Sequence, residues 1–127
     1  VLVHLDTDFL VYAFSVRGAE RTKLDALEAA GAELEMSAIA WYEFTRGPRT
    51  VEQLAVARSV LGSNGIIPFS EGLAAAADVF RSLGSPRKRA ADVAIGVTAV
   101  ASGAVLVTRN ARDFAGVPGL KLEAIAS

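Results

Sequence analysis

The chain reads as a single α/β domain with a mainly parallel central sheet flanked by helices, and three features carry that reading. Short apolar runs at residues 1–5, 33–36, 66–67, 104–107 and 120–123 alternate with longer amphipathic stretches throughout. Strands alternating with helical patterns build parallel sheets through crossover connections. The 127 residues, 52% hydrophobic and 21% charged, supply one sizeable core and leave no room for a second. No repeat, linker or low-complexity segment divides the sequence, so residues 1–127 are expected to form one unit. Disorder is excluded, since so much Val, Leu, Ile and Ala cannot stay solvated.

Residues 1–5 stop at Asp6 and pass through Thr7 and Asp8 into a second apolar group, the pattern of a buried strand feeding a helix. Residues 19–30 set Leu24 and Leu27 among Glu, Lys and Arg at helical spacing, with Gly31 as the stop. A short strand follows at 33–36. Ser37 then stands where a cap belongs for a helix over 38–46, which Gly47 and Pro48 end. Residues 50–61 are amphipathic and broken by Gly62 to Gly65, after which Ile66 and Ile67 form a strand stub closed by Pro68. Ser70 is expected to cap a helix over 71–83 with Leu73, Ala76, Ala77, Phe80 and Leu83 on one face. Arg87, Lys88 and Arg89 precede an unusually apolar helix over 91–102 and a strand over 104–107. The remaining residues predict a short helix near 110–115 and a last strand at 120–123.

Thirteen basic residues against fourteen acidic ones, a net charge of -1, exclude a polycation that binds nucleic acid through bulk charge. Any phosphate recognition must be local. The absence of Cys excludes disulfides, thiolate zinc sites and Cys nucleophiles, and fits a reducing compartment. The longest nearly uncharged stretch, residues 93–108, falls short of the roughly 20 residues a membrane span needs. No basic segment precedes the opening strand, so a signal peptide is not expected and the cytoplasm is the expected location.

Asp92 is the most informative residue. It heads a helix made almost entirely of Ala, Val, Ile and Gly, where a bare carboxylate needs a charge partner, hydrogen bonds or a metal. The structural alternative is stabilisation by the helix dipole. Asp6 ends the first strand, and ligand sites in parallel sheets form at the carboxyl ends of strands. Helix capping accounts for Asp8 more readily than for Asp6. Glu43 lies in the apolar stretch Ala38 to Phe44, with Arg46 at a spacing that also suits an ordinary surface pair. Asn110 and Asp113 have the spacing of a capping box, which explains each of them singly.

Basic residues stand close in sequence to every candidate acid except Asp6: Arg46 and Arg49 follow Glu43, Arg87, Lys88 and Arg89 precede Asp92, and Arg109 and Arg112 bracket Asn110 to Asp113. Carboxylates holding cations beside guanidiniums holding phosphate oxygens would give this pattern, and so would solvated loops. Trp41, Tyr42 and Phe44 read as core before base-stacking groups, and His4 as a core histidine. A lone His supports no nucleophilic triad. Several carboxylates with no Cys and one His suit a hard ion, Mg²⁺ or Mn²⁺ in place of zinc. Such ions activate water in phosphoryl transfer, so the inferred reaction is phosphodiester hydrolysis.

Taken in order, Val3-His4-Leu5-Asp6-Thr7-Asp8, Ser37 to Glu43, Asp92-Val93-Ala94-Ile95-Gly96 and Val105 through Thr108-Arg109-Asn110 to Asp113-Phe114 resemble the PIN-domain ribonucleases, in particular VapC-like toxins of bacterial toxin-antitoxin pairs. The resemblance covers essentially the whole chain. It implies a parallel sheet flanked by helices, and an acidic cluster of Asp6, Glu43, Asp92 and Asp113 binding Mg²⁺ or Mn²⁺ for endonucleolytic RNA cleavage. Thr108 and Asn110 would support that cluster by hydrogen bonds. Homodimerisation and inhibition by a cognate antitoxin are implied as well. Asp8 stands where Asn or Ser is more usual, Ala40 where a hydroxyl often occurs and Gly96 where Ala is typical. Two alternatives are a catalytically silent RNA- or partner-binding domain of this fold and a haloacid-dehalogenase-like phosphatase. The second rests on Asp6-Thr7-Asp8, with Leu10 in place of the expected Thr or Val.

Overall fold

The computed structural model describes residues 1–15 and 17–125. Five strands, β1 (Leu2–Leu5), β2 (Glu33–Ser37), β3 (Ile66–Ile67), β4 (Val105–Thr108) and β5 (Lys121–Ala124), form one sheet in the order β3-β2-β1-β4-β5. Every neighbouring pair is parallel, with His4 beside Glu35 on one side and beside Leu106 on the other. Six helices cross between the strands: α1 (Thr7–Ser15), α2 (Ala19–Ala29), α3 (Ala38–Thr45), α4 (Val51–Val60), α5 (Ala76–Ser82) and α6 (Ala90–Ser102).

The order matters for the site. The chain runs outward from β1 to β2 and β3, then returns to the other side of β1 for β4 and β5. Strand order therefore reverses at β1, and the crevice beyond the carboxyl ends of β1 and β4 lies at that switch point. The central strands are apolar because both faces are covered: Val3, Leu5, Leu106 and Val107 are buried. Phe9 of α1, Phe44 of α3 and Phe114 near the carboxyl end are each at most 1% exposed. Burying one such ring is worth roughly 1.5–3 kcal/mol, so the three pin the elements that border the crevice.

Ser37 caps α3 as expected, its hydroxyl accepting from the Ile39 N–H at 3.1 Å. Thr50 and Gln53 form a reciprocal capping box on α4. Expectation and structure part at residues 71–83, where a 3₁₀ turn (Glu71–Leu73) is followed by the shorter α5. The Ser70 side chain makes no capping bond, and Gly72 falls in what would be the first helical turn, where it disfavours the α conformation. The predicted helix near 110–115 is likewise a 3₁₀ turn, Ala111–Phe114. No helix among the described residues is long and apolar enough to cross a membrane.

Candidate active site

Asp6 leaves the end of β1 and Thr108 ends β4, so parallel pairing brings together residues 102 apart in sequence. The Thr108 hydroxyl donates to Asp6 Oδ2 at 2.8 Å and accepts from the Asn110 N–H at 2.9 Å. The Asn110 side-chain amide donates to Asp8 Oδ2 at 2.9 Å. Asn110 makes no capping bond, so the capping-box reading of Asn110 and Asp113 does not hold. Its amide is drawn away to Asp8.

Glu43 reaches the crevice from α3, and its Oε1 accepts from the Thr7 hydroxyl at 2.8 Å. Asp92 comes from the first turn of α6, and Asp113 from the 3₁₀ turn after β4. Asp6, Thr7, Asp8, Val11, Glu43, Arg46, Asp92, Asn110 and Asp113 together line a cleft of about 320 Å³. Among the described residues, five carboxylates from four separate segments thus face one small volume, with Arg46 the single basic residue in its wall.

The electrostatics follow from burial and crowding. Asp6 is 4% exposed, and burial pushes its carboxyl up to about 7, with the Thr108 hydroxyl opposing and Asp8 and Asp92 adding repulsion. Burial also raises Asp92, to about 6, joined by repulsion from Asp113, Glu43 and Asp8 and opposed by Arg89. Among the described residues none of Asp6, Glu43, Asp92 and Asp113 forms an ion pair. Nor, among those residues, is any group of three or more Asp, Glu, His or Cys gathered tightly enough to hold a metal ion as the side chains lie. Like charges gain nothing by converging on their own, and they share the cleft without meeting at a point.

The basic residues separate into distinct groups. Arg46 makes no ion pair with Glu43 and instead lies over the Tyr42 ring, 5.2 Å from its centroid. Arg89 donates to the backbone carbonyls of Asp113, at 2.9 Å, and Ala115, at 2.5 Å, tying the start of α6 to the turn that carries Asp113. The Arg109 guanidinium lies over the Tyr12 ring, 3.6 Å from its centroid, and 3.9 Å from Glu20. Arg89 and Arg109 are thereby engaged within the chain. Arg87, Lys88 and Arg112 are exposed. Trp41 stacks on the buried Phe44, as the core reading expects, whereas Tyr42 is 60% exposed.

Sequence reasoning missed the contact of Thr7 with Glu43 and the contact between His4 and Glu35. His4 is buried as expected, yet its Nδ1 lies 2.5 Å from Glu35 Oε2 and its Nε2 accepts from the Ser37 N–H at 3.0 Å. The signal available was Glu35, an acid between the apolar Leu34 and Met36 at the middle of β2.

The PIN-domain family pattern matches residues 3–120. No curated protein shows significant sequence similarity to the chain. Among solved structures, a chain of VapBC2 from Rickettsia felis, bound to a DNA fragment from its promoter, superposes with a TM-score of 0.77 at 24% identity, covering 99% of this chain and 100% of that one. DNA-bound VapBC from Salmonella typhimurium gives 0.70 at 22% identity, with 98% of each chain covered. A toxin-antitoxin complex from Klebsiella pneumoniae gives 0.66 at 31% identity, covering 93% of this chain and 94% of that one. With the family pattern running from β1 to the edge of β5, and with this sheet order and acid-lined switch point, the chain belongs to the PIN-domain family.

Proposed function

We propose that the protein is a metal-dependent endoribonuclease that hydrolyses RNA phosphodiester bonds, and that it acts as the toxin of a toxin-antitoxin pair. The observation that carries this reading is the cleft at the switch point, which Asp6, Glu43, Asp92 and Asp113 line together, none of them in an ion pair among the described residues. A buried Asp6 raised to about 7 and a half-buried Asp92 raised to about 6, neither in an ion pair, are poor tenants of a folded protein unless a cation compensates them. An all-oxygen donor set suits Mg²⁺ or Mn²⁺. Bound there, such an ion would lower the pKa of water and stabilise charge developing on phosphate.

The chain's own residues divide the remaining work. Asp6, Glu43, Asp92 and Asp113 would hold the ion, after side-chain rotations that bring their oxygens together. Thr108 orients Asp6, Thr7 orients Glu43, and Asn110 restrains Asp8. Arg46, at the cleft wall, would meet a phosphate oxygen of the substrate. Arg87, Lys88 and Arg112 are free to track the RNA backbone outside the cleft, and Arg89 and Arg109 act through the segments they brace. Inhibition by a cognate antitoxin, homodimerisation and a cytoplasmic location belong to the same proposal, in keeping with the toxin-antitoxin complexes the fold resembles.

The test is cleavage of RNA with added Mg²⁺ or Mn²⁺, expected to vanish on chelation and in Asp6→Ala or Asp92→Ala. Unchanged cutting by those variants would overturn the assigned site. A second reading, a PIN-domain protein that binds RNA or a partner without cutting, is favoured by one observation: the acids do not converge as they lie. Full RNA affinity without turnover in any divalent metal would select it. The PIN-domain match leaves the phosphatase alternative without support.

A further inference from the structure

Beneath the cleft, Glu35 and His4 sit side by side on β2 and β1 and are 4% and 0% exposed. The Ser37 N–H donates to His4 Nε2 at 3.0 Å, which leaves Nδ1 as the protonated ring nitrogen facing Glu35 Oε2 at 2.5 Å. A buried polar pair of this kind is a costly way to fill a core, because two apolar residues of similar volume would avoid the desolvation. Its location gives it a use.

Ser37 is both the last residue of β2 and the cap of α3, so the chain turns from strand to helix with no intervening loop. On the β1 side of β2 the Glu33 N–H takes a backbone carbonyl, that of Val1 just before β1, at 2.9 Å. Two steps further on, the Ser37 N–H meets the imidazole of His4. His4 lies two residues before Asp6 on the same face of its strand, and Glu43 lies six residues after Ser37 on the helix that Ser37 starts. The Thr7–Glu43 hydrogen bond, 2.8 Å, closes the circuit on the far side. Asp6 and Glu43 are therefore joined by a short cycle of fixed bonds that runs through the imidazole.

We propose that His4 and Glu35 are positioning residues that hold the end of β1 against the start of α3 and so set the spacing of Asp6 and Glu43 across the cleft. The inference rests on the metal-site reading above. Partners that orient metal ligands typically govern about 10- to 100-fold in metal affinity.

The experiment is Mn²⁺ titration of the full chain followed by electron paramagnetic resonance, with kcat and KM for RNA cleavage measured in parallel. His4→Leu is expected to weaken Mn²⁺ binding about tenfold and to lower kcat with KM little changed. His4→Gln, whose amide oxygen can accept from Ser37 while its NH₂ donates to Glu35, should restore most of both. Should His4→Leu not fold, His4→Asn, too short to span both partners, takes its place with the same expected loss. Wild-type affinity and kcat in the folded Leu or Asn variant, or a Gln variant as impaired as they are, would overturn the inference alone. Failure of the unmodified chain to bind Mn²⁺ would overturn the site reading and this inference with it.

Discussion

Asp6 directly follows the last residue of β1 and Glu35 is the middle residue of the neighbouring β2; both are 4% exposed, and the chain treats them differently. Glu35 has an imidazole against it at 2.5 Å, itself anchored to the Ser37 N–H. Asp6 has one side-chain donor, the Thr108 hydroxyl, and burial, joined by repulsion from Asp8 and Asp92, raises its carboxyl to about 7. Equal burial therefore has two outcomes, one acid compensated from within and one left for something outside the chain. Buried groups satisfied internally hold a fold together, whereas those left wanting mark where function resides.

The strongest way to break this contrast is to neutralise each acid. Asp6→Asn should cut kcat by about 10²- to 10³-fold, the scale for removing a preorganised charge-handling group. The same change should raise the melting temperature of the metal-free protein at pH 8, by about 4 °C for each kcal/mol of relieved burial penalty. Glu35→Leu should lower it, because it strands the His4 donor. A fall in melting temperature for Asp6→Asn would show that Asp6 is as well compensated as Glu35.

The next effect is the pH dependence of the metal-free chain. Asp6 titrates near 3.8 when unfolded and about 7 when folded, so between those values the folded state holds the proton the unfolded state has lost. Stability from this group must fall as pH rises through that window and level off above it, with Asp92 acting the same way up to about 6. Mn²⁺ should remove the fall, because a bound cation replaces the proton. Denaturant melts at pH 5 and pH 8, with and without Mn²⁺, check both signs.

Two smaller effects sharpen the picture. Thr108→Val deletes the donor that opposes the rise in Asp6 and frees the Asn110 N–H, so Mn²⁺ affinity should drop about tenfold by calorimetry. Arg46→Ala should raise KM for RNA a few-fold with kcat nearly unchanged, the signature of lost ground-state binding.

The acids were legible in the sequence because a carboxylate in an apolar setting, as at Asp6, Glu43 and Asp92, is anomalous at the level of a single residue. The alternating strands and helices were legible for a related reason, since periodicity is local. The destinations of the arginines were not. Arg89 and Arg109 sit beside candidate acids in sequence, yet one reaches the carbonyls of Asp113 and Ala115 and the other lies on Tyr12. Long side chains choose partners in space, and only the fold decides which are in range. The pairings of His4 with Glu35 and Thr7 with Glu43 were hidden for the same reason, joining residues 31 and 36 apart. The helix expected over 71–83 failed on a finer point, since an apolar stripe at the right spacing does not guarantee a start signal.

Because β4 slots in beside β1 only after the intervening strands and helices have been laid down, the cleft draws on both extremities of the polypeptide. A nascent chain that has emerged with Asp6 and Glu43 alone carries half of the proposed ligand set and lacks Thr108, whose hydroxyl donates to Asp6. Under the proposed function, competence to cut would arrive in one step, when residues through Asp113 have left the ribosome and packed.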